Sequence, residues 1–151
     1  MLKFDKIKIV SSIDNISRIN EDKFQSIIKD GIICEQKFSI QSPYSLYIEA
    51  DFQERELVIE FTGKILKDNY SDLIHRDNIH ICLSNINDLG LCLLDIEGIL
   101  ANGEVVKADV CQDVECADCK ALTEKLRAGV GNFKKYLVRN IGDNFVIEKN
   151  V

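Results

Sequence analysis

Three of the six cysteines fall in one short segment of the chain, ADVCQDVECADCKAL (residues 108–122), together with four acidic side chains. Cys116 and Cys119 form a C-x-x-C pair, and Cys111 lies shortly before them. A structural zinc site needs four ligands, usually two such pairs, and no fourth ligand lies nearby because the two histidines are far upstream. The sequence therefore predicts free, inert thiols and no zinc, with a small cysteine-based metal module or a redox pair left as alternatives.

The redox alternative depends on where the C-x-x-C pair lies. The pair would stand at the start of a predicted helix that follows a predicted strand, and a helix N-terminus lowers the pKa of a thiol. The surrounding acids act in the opposite direction and raise the pKa. The sequence therefore favours inert thiols over a reactive thiol.

The acidic residues indicate a different chemistry. Asp109 lies inside a predicted strand, where a carboxylate is disfavoured unless that face is solvated or holds a cation. An exposed strand face is the simpler interpretation. The functional alternative is a site for Mg²⁺ or Mn²⁺ in which Asp109 is joined by Glu60 or Asp113, since hard divalent cations prefer carboxylate oxygens.

Charge is unevenly distributed along the chain. The net charge is -6, which by itself argues against nucleic-acid binding. Residues 95–118 carry seven acids and one base, whereas residues 120–139 carry six bases and one acid. Neighbouring segments of opposite sign predict either a polarised surface or two ordinary solvated faces.

Length and composition bound the class of protein. A chain of 151 residues with 46% hydrophobic and 29% charged residues is typical of one folded domain. No apolar run approaches the ~20 residues that a membrane span needs, and the N-terminal segment has charges inside its apolar stretch, unlike an export signal. We therefore expect a cytoplasmic protein with reduced thiols and no membrane partner.

Hydrophobic periodicity predicts the elements that must position these side chains. Alternating residues predict strands in KIKIV, CEQKFSIQ, YSLYIEA, ELVIEFT, EVVKADVC and NFVIEKNV. In EVVKADVC, Val106, Ala108 and Val110 are expected on one face, and Val105, Lys107 and Asp109 on the other.

Helical spacing predicts the remaining elements. EDKFQSIIKDG is predicted to be a short helix ending at Gly31, and DNIHICLSNINDLG a helix with Asp77 as its N-cap and Gly90 as its stop. LDIEGILANG is predicted to be a helical turn, DCKALTEKLRAGV a helix, and NFKKYLVRNIGD a helix or loop in which Tyr136 packs with Phe133. The order is roughly βαβββαβαβ, which predicts an α+β fold with a largely antiparallel sheet and helices packed on one face.

One stripe of apolar residues predicts which face of a helix packs against the sheet. Ile79, Leu83, Ile86 and Leu89 recur at helical spacing and are expected to face the core. Their predicted partners are the apolar residues of ELVIEFT, namely Leu57, Ile59 and Phe61.

Several segments together resemble phage and plasmid replication proteins of the rolling-circle type. They are a strand ending in EFTGKIL, a helix with NINDLGL, the segment LDIEGIL, and a strand of the form E-V-hydrophobe-K-x-D-V-x-x-D over residues 104–113. The resemblance covers most of the chain in element order. It implies a DNA-nicking initiator, in which a tyrosine attacks the origin phosphodiester and keeps the 5′ phosphate with the help of a divalent metal.

The resemblance also implies roles for particular residues. Asp109 and Asp113 match the acidic strand, and the basic segment would supply phosphate contacts to origin, single-stranded or hairpin DNA. These DNA-binding candidates are Lys120, Lys125, Arg127, Lys134, Lys135 and Arg139. The chain has no His-hydrophobe-His metal motif, and the family's tyrosine-bearing strands would follow residue 151. The expectation is therefore the N-terminal part of an initiator, inactive in nicking by itself.

Two rival functions remain at this point. One is a non-enzymatic interaction domain with a protein partner, and the other is the small cysteine-based metal module. Steeply salt-dependent DNA affinity would favour the initiator, because phosphate binding releases counterions. The catalytic residue and the oligomeric state are left open by the sequence.

Overall fold

The chain divides into two compact units, Met1–Gln112 and Asp113–Val151. The structure, a computed structural model, describes residues 1–112, 115–130, 136–141 and 144–149. We call the two units the N-terminal and the C-terminal unit. The prediction of one domain over residues 1–151 stays a prediction.

A six-stranded antiparallel sheet forms the frame of the N-terminal unit. Its strands lie in the order β3-β4-β5-β6-β1-β8, and a separate two-residue ribbon pairs β2 with β7. The strands are β1 (Phe4–Ser12), β2 (Ile16–Ser17), β3 (Gln25–Lys29), β4 (Ile32–Ile40), β5 (Leu46–Asp51), β6 (Glu56–Thr62), β7 (Leu93–Leu94) and β8 (Glu104–Val110). Two 3-10 segments, Ile13–Asn15 and Gly63–Asp72, connect them.

Two helices pack on one face of this sheet, α1 (Ile79–Asn87) and α2 (Ile96–Asn102). Leu83 and Ile86 of α1 and Ile99 of α2 share one buried cluster with the alternate apolar residues of β1, β5 and β6. This arrangement confirms the predicted α+β class with a largely antiparallel sheet. The predicted core stripe is also confirmed, because Ile79 and Leu89 pack against the same cluster.

The short helix predicted for residues 21–31 is wrong. Gln25–Lys29 is a strand that pairs with β4, and Asp30 and Gly31 form the tight turn between them. Both turn residues have positive φ, 53° and 77°, as a type I′ hairpin turn requires. The Asp-Gly dipeptide therefore marked a hairpin rather than a helix end.

A β-bulge alters the expected alternation in β8. Lys107 lies opposite Lys8 but Val105 lies opposite Ile9, so the register shifts at Val106. As a result Val105 lies on the helix-packed face with Ile9, whereas simple alternation had placed it with Lys107. Bulges insert one extra residue and so reverse the alternation beyond them.

The C-terminal unit consists of α3 (Cys119–Val130) and a hairpin of β9 (Tyr136–Ile141) and β10 (Asn144–Lys149). The predicted helix at α3 and the final strand are confirmed. The helix or loop predicted for residues 132–143 is wrong where it is described, since Tyr136 begins a strand. With these added strands, the predicted order βαβββαβαβ is not confirmed. No helix in the described part of the chain is long and apolar enough to span a membrane.

Candidate nucleic-acid interface on the open face of the sheet

Polar side chains line the sheet face that the helices of the N-terminal unit leave uncovered, which we call the open face. In β5, Leu46, Ile48 and Ala50 are fully buried, whereas Tyr47 and Glu49 between them are half-buried on the opposite side. The strand registers place the equivalent residues of the neighbouring strands on the same side. The charged residues of the open face are Lys6, Lys8, Glu35, Lys37, Glu49, Asp51, Glu56, Glu60, Glu104, Lys107 and Asp109.

The end of the open face nearest β8 carries three lysines, Lys6, Lys8 and Lys107, and three acids, Glu60, Glu104 and Asp109. Lys8 lies directly opposite Lys107, and like charges in that position repel. Lys6 is neutralised by Glu60, with 3.0 Å between Nζ and Oε1. Lys8 and Lys107 form no salt bridge with any residue that the structure describes. Lys8 also lies directly opposite Glu60 on β6, which forms its salt bridge with Lys6 instead. The adjacent ammonium groups of Lys8 and Lys107 are therefore the part of this end that is suited to binding an anion.

The predicted Mg²⁺ or Mn²⁺ ligands do not converge within the described part of the chain. Glu60 on β6 and Asp109 on β8 are separated by β1, so their backbones lie about 10 Å apart. Lys6 lies opposite Asp109 and is paired with Glu60, so an ammonium group stands where the ion would be. Asp113 lies outside the described residues. The residues present do not fit a divalent ion, and that site stays a prediction.

A different acidic cluster lies at the other end of the open face, and no pattern in the sequence indicated it. Glu35, Glu49 and Asp51 each place a carboxylate oxygen within 4.8 Å of the others. Lys37 neutralises part of this charge, with its Nζ 3.0 Å from Glu35 and 3.8 Å from Glu49. Its hydrogen bond with Glu35, with the charge of Glu49, raises the pKa of Lys37.

Asp51 also has a structural role that accounts for its position. Its Oδ1 accepts hydrogen bonds from the backbone N–H groups of Gln53 at 3.0 Å and Glu54 at 2.9 Å. These bonds hold the turn between β5 and β6. The cluster is thus explained by an ion pair and a turn, both of which stabilise the sheet without a metal.

Tyr47 is the tyrosine nearest the charged centre of the open face, directly opposite Glu60. Its hydroxyl donates a 2.6 Å hydrogen bond to Oε2 of Glu49. Burial and this bond raise the pKa of Tyr47, so its phenol stays protonated at neutral pH. A nucleophilic tyrosine needs the opposite shift. Tyr47 is therefore not an activated nucleophile in this environment.

The basic residues predicted to contact DNA lie in the C-terminal unit. Lys120 and Lys125 are exposed on α3, and Arg127 is half-buried there. Helical geometry puts Lys120 and Arg127 within ~20° of each other around the helix and Lys125 ~140° away from Lys120. Arg139 is in β9, and Lys134 and Lys135 lie outside the described residues. Of the described helical bases, Lys120 and Arg127 therefore share a side.

The cysteines differ in environment. Cys34, Cys82 and Cys92 are buried, and burial raises the pKa of Cys82 to about 12 and that of Cys92 to about 11. These two thiols stay protonated at neutral pH, which makes them poor nucleophiles and poor metal ligands. Their chemistry agrees with an inert, structural role.

The C-x-x-C pair lies at the start of α3. The Sγ of Cys116 donates to the Sγ of Cys119 at 2.7 Å, and this bond raises the pKa of the Cys116 thiol. Asp118 caps the helix by accepting from the N–H of Ala121 at 3.0 Å. The raised pKa lowers the fraction of thiolate at Cys116, which is the form that zinc binding and thiol exchange require.

We expect the purified protein to contain no stoichiometric zinc. The C-x-x-C pair supplies two ligands of the four that a structural site needs. Elemental analysis of the wild-type protein and of a Cys116→Ser variant should give the same zinc content, well below one ion per chain. One equivalent of zinc that disappears in Cys116→Ser would show that the cysteine-based metal module is correct.

An apolar cavity of about 450 Å³ is another concave feature of the N-terminal unit. Ile9, Ile79, Leu100 and Val105 contribute to its walls, on the side of the sheet opposite the open face. Its volume is in the range of known ligand pockets. Because most of its lining residues are apolar, it is suited to apolar contacts rather than to phosphate or metal binding.

Comparison of the chain with models of protein families, with curated protein sequences and with solved structures returned no match. The assignment of a function therefore depends on the residues and geometry described above.

Proposed function

We propose that the chain belongs to a cytoplasmic replication initiator of the rolling-circle type, and that it contributes DNA binding. The observation that supports this most is the adjacent pair Lys8 and Lys107 on the open face, neither of which forms a salt bridge with a described residue. A pair of like charges costs stability in the free protein, and a phosphate lying across both lysines would remove that cost.

The charge distribution supports DNA as the anion despite the net charge of -6. The acidic residues Glu35, Glu49 and Asp51 are gathered at the far end of the open face, and Lys37 partly neutralises them. At the β8 end the lysines and the acids are equal in number, and Lys8 and Lys107 are adjacent without a salt bridge to a described residue. DNA responds to such local charges, because solvent-exposed charges beyond about 10 Å are screened by salt. The bases of α3, of which Lys120 and Lys125 are exposed and Arg127 is half-buried, provide a second group of phosphate contacts in the C-terminal unit.

The nicking reaction itself is not assigned to residues 1–151. The phenol of Tyr47 has a raised pKa and is hydrogen-bonded to a carboxylate, which opposes nucleophilic attack. Glu60 is engaged by Lys6 and does not fit a shared divalent site with Asp109. We expect this chain to leave a supercoiled or hairpin origin uncut, and nicking by residues 1–151 would contradict the assignment.

The test is the salt dependence of DNA binding. We expect affinity for a single-stranded or hairpin oligonucleotide to fall steeply with salt. Lys8→Ala/Lys107→Ala should weaken binding about tenfold near physiological salt and reduce the log–log slope by roughly 0.7 for each phosphate contact removed. A variant of the α3 bases, Lys120→Ala/Arg127→Ala, should have an effect of similar size.

The matched control removes the same charge elsewhere. Lys23→Ala/Lys29→Ala lies at the β3 edge, the opposite end of the sheet from β8, and should leave the slope unchanged. An equal decrease in the control and in both test variants would show a non-specific charge effect. Unchanged slopes in both test variants would overturn the proposal.

The apolar cavity favours a second candidate, a non-enzymatic domain that binds a protein partner. Apolar side chains lining a cavity of that size are typical of partner-binding grooves. Such binding would be insensitive to salt. It would be weakened by Leu100→Asp, which should leave DNA affinity unaltered, whereas Lys8→Ala/Lys107→Ala should have the opposite selectivity.

A further inference from the structure

β8 is an edge strand with an unusually apolar, exposed surface. It is last in the order of the six-stranded sheet, and its outer edge pairs with no other described strand. Three of its seven residues are exposed valines, Val105 at 56%, Val106 at 53% and Val110 at 67%. Long apolar edges offer unpaired backbone groups to another strand, and proteins normally protect them.

The charges of β8 lack partners within the described part of the chain. Lys107 is exposed and lies opposite another lysine, Lys8. Asp109 is exposed and lies opposite Lys6, whose ammonium group is engaged by Glu60. One cation and one anion therefore stand two positions apart on the open face, each without an ion pair to a described residue. A strand with the reversed order of charges would neutralise both.

We propose that two copies of this chain associate by antiparallel pairing of β8 with β8, about a twofold axis through Ala108. In this register Lys107 lies opposite Asp109 of the second copy, and Asp109 lies opposite its Lys107. The central segment of β8, from Lys107 to Asp109, is thus its own complement in charge, whereas Glu104 faces the uncharged Gln112 of the second copy. Pairs of opposite charge directly across an antiparallel ladder stabilise it.

Symmetry and side-chain direction exclude the neighbouring registers. A twofold axis that relates antiparallel strands in one sheet keeps each face on its own side, so residues facing one another must share a face. The axis must therefore lie midway between one residue and the same residue of the second copy. An axis through Lys107 places the two lysines opposite each other, and an axis through Asp109 does the same for the two aspartates. The register through Ala108 alone among these three brings opposite charges together.

The same register also suits the apolar residues. Val110 lies opposite Val106 of the second copy, so four exposed valine side chains are covered in the dimer. Ala108, with a small side chain, stands at the axis, where a larger residue would meet its own copy. The bulge at Val106 lies at the end of this ladder rather than at its centre.

The association is expected to be weak and reversible. A single strand pair buries less surface than the ~1,600 Å² of a standard stable interface. We therefore expect a concentration-dependent monomer–dimer equilibrium rather than an obligate dimer. It shares Lys107 with the proposed DNA-binding function, so Asp109 of the second copy and a phosphate would compete for the same ammonium group. Association is therefore measured without DNA, and cross-linking at Ala108 tests it apart from DNA binding.

Charge reversal tests the register. Lys107→Asp alone and Asp109→Lys alone each create two repulsive contacts per dimer, so each variant should dimerise roughly tenfold more weakly than the wild type. An equimolar mixture of the two variants should form a heterodimer with wild-type affinity, because every facing pair is again of opposite charge. Sedimentation equilibrium over a concentration series measures all three samples.

Cross-linking tests the position of the axis. Residues facing one another in an antiparallel pair have Cα atoms about 4.5–5.5 Å apart. In a Cys111→Ser/Cys116→Ser/Cys119→Ser background, Ala108→Cys should give a linked dimer with a short bismaleimide. Leu100→Cys, which is 48% exposed on α2 in the wild-type protein, is the control and should remain monomeric.

Three results would overturn the proposal. They are a wild-type protein that stays monomeric at all concentrations, a mixture of the two charge variants that associates no better than either alone, and an Ala108→Cys variant that cross-links no faster than Leu100→Cys. Folding of every variant is checked by its circular dichroism, and a misfolded charge variant leaves the cross-linking result to decide.

Discussion

Replacing Leu83 by alanine should reduce the free energy of unfolding by about 2–5 kcal/mol. Leu83 is fully buried in the middle of α1 and belongs to the cluster formed with Leu57, Ile59 and Phe61 of β6. Truncating it removes the apolar contacts and leaves a cavity that rigid strands cannot fill. Urea denaturation monitored by circular dichroism should show a lower midpoint with an unchanged slope.

The same helix offers a matched control for this substitution. Ile81 is 43% exposed on α1, and Ile81→Ala should change stability by less than about 0.5 kcal/mol. Both substitutions convert a large aliphatic residue to alanine at a helical position, so helix propensity affects them similarly. A decrease below ~1 kcal/mol for Leu83→Ala would mean that α1 packs against the sheet with another face.

Asn78→Ala should be nearly as damaging as Leu83→Ala, with an expected decrease in stability of about 2–4 kcal/mol, since each buried polar group left unpaired costs ~1–3 kcal/mol. The Nδ2 of Asn78 donates to the carbonyl of Leu73 at 2.7 Å, and its Oδ1 accepts from the N–H of His75 at 2.8 Å. Asn78 is 8% exposed, so solvent cannot replace these bonds readily.

Backbone strain at Leu73 adds to the importance of Asn78. Leu73 has a φ of 58°, a conformation that side chains other than glycine rarely adopt. Its buried side chain and the amide of Asn78 hold it there. Without that amide, the segment between the 3-10 helix Gly63–Asp72 and α1 loses the hydrogen bonds that hold its backbone in place. The urea midpoint of unfolding should therefore fall.

Asp77, the residue before Asn78, provides the control for the Asn78→Ala substitution. Sequence rules favoured Asp77 as the N-cap of α1, whereas the helix begins at Ile79 with Asn78 preceding it. The exposed carboxylate of Asp77 accepts no hydrogen bond from a described residue. Asp77→Ala should therefore change stability by less than about 0.5 kcal/mol. If Asp77→Ala proves as costly as Asn78→Ala, the assigned hydrogen bonds are wrong.

The periodicity of apolar residues was sufficient to predict a strand or helix where one face of that element is buried and the other is exposed. The alternation in YSLYIEA and ELVIEFT predicted β5 and β6, and the helical stripe through Leu83 and Ile86 predicted α1 and its buried face. In these segments each residue's environment follows from its own side chain, because apolar atoms leave water wherever the period allows it.

The periodicity of apolar residues was insufficient where the helical period and the strand period fit the same few residues. Ile27 and Ile28 are compatible with a helical turn and with a strand, and five residues are too few to decide between the periods. The segment is a strand because it pairs with β4, and this pairing satisfies backbone hydrogen-bonding groups of both strands. The bulge in β8 likewise depends on its partner β1.

By itself the sequence determined the α+β class and the core stripe of α1. The tertiary structure alone decided which charges meet between strands: Lys6 with Glu60, Lys37 with Glu49, and Lys8 with Lys107. The physical reason is that burial is a property of each residue, whereas an ion pair requires a particular strand order and register. Both of these are set by contacts between segments far apart in the chain.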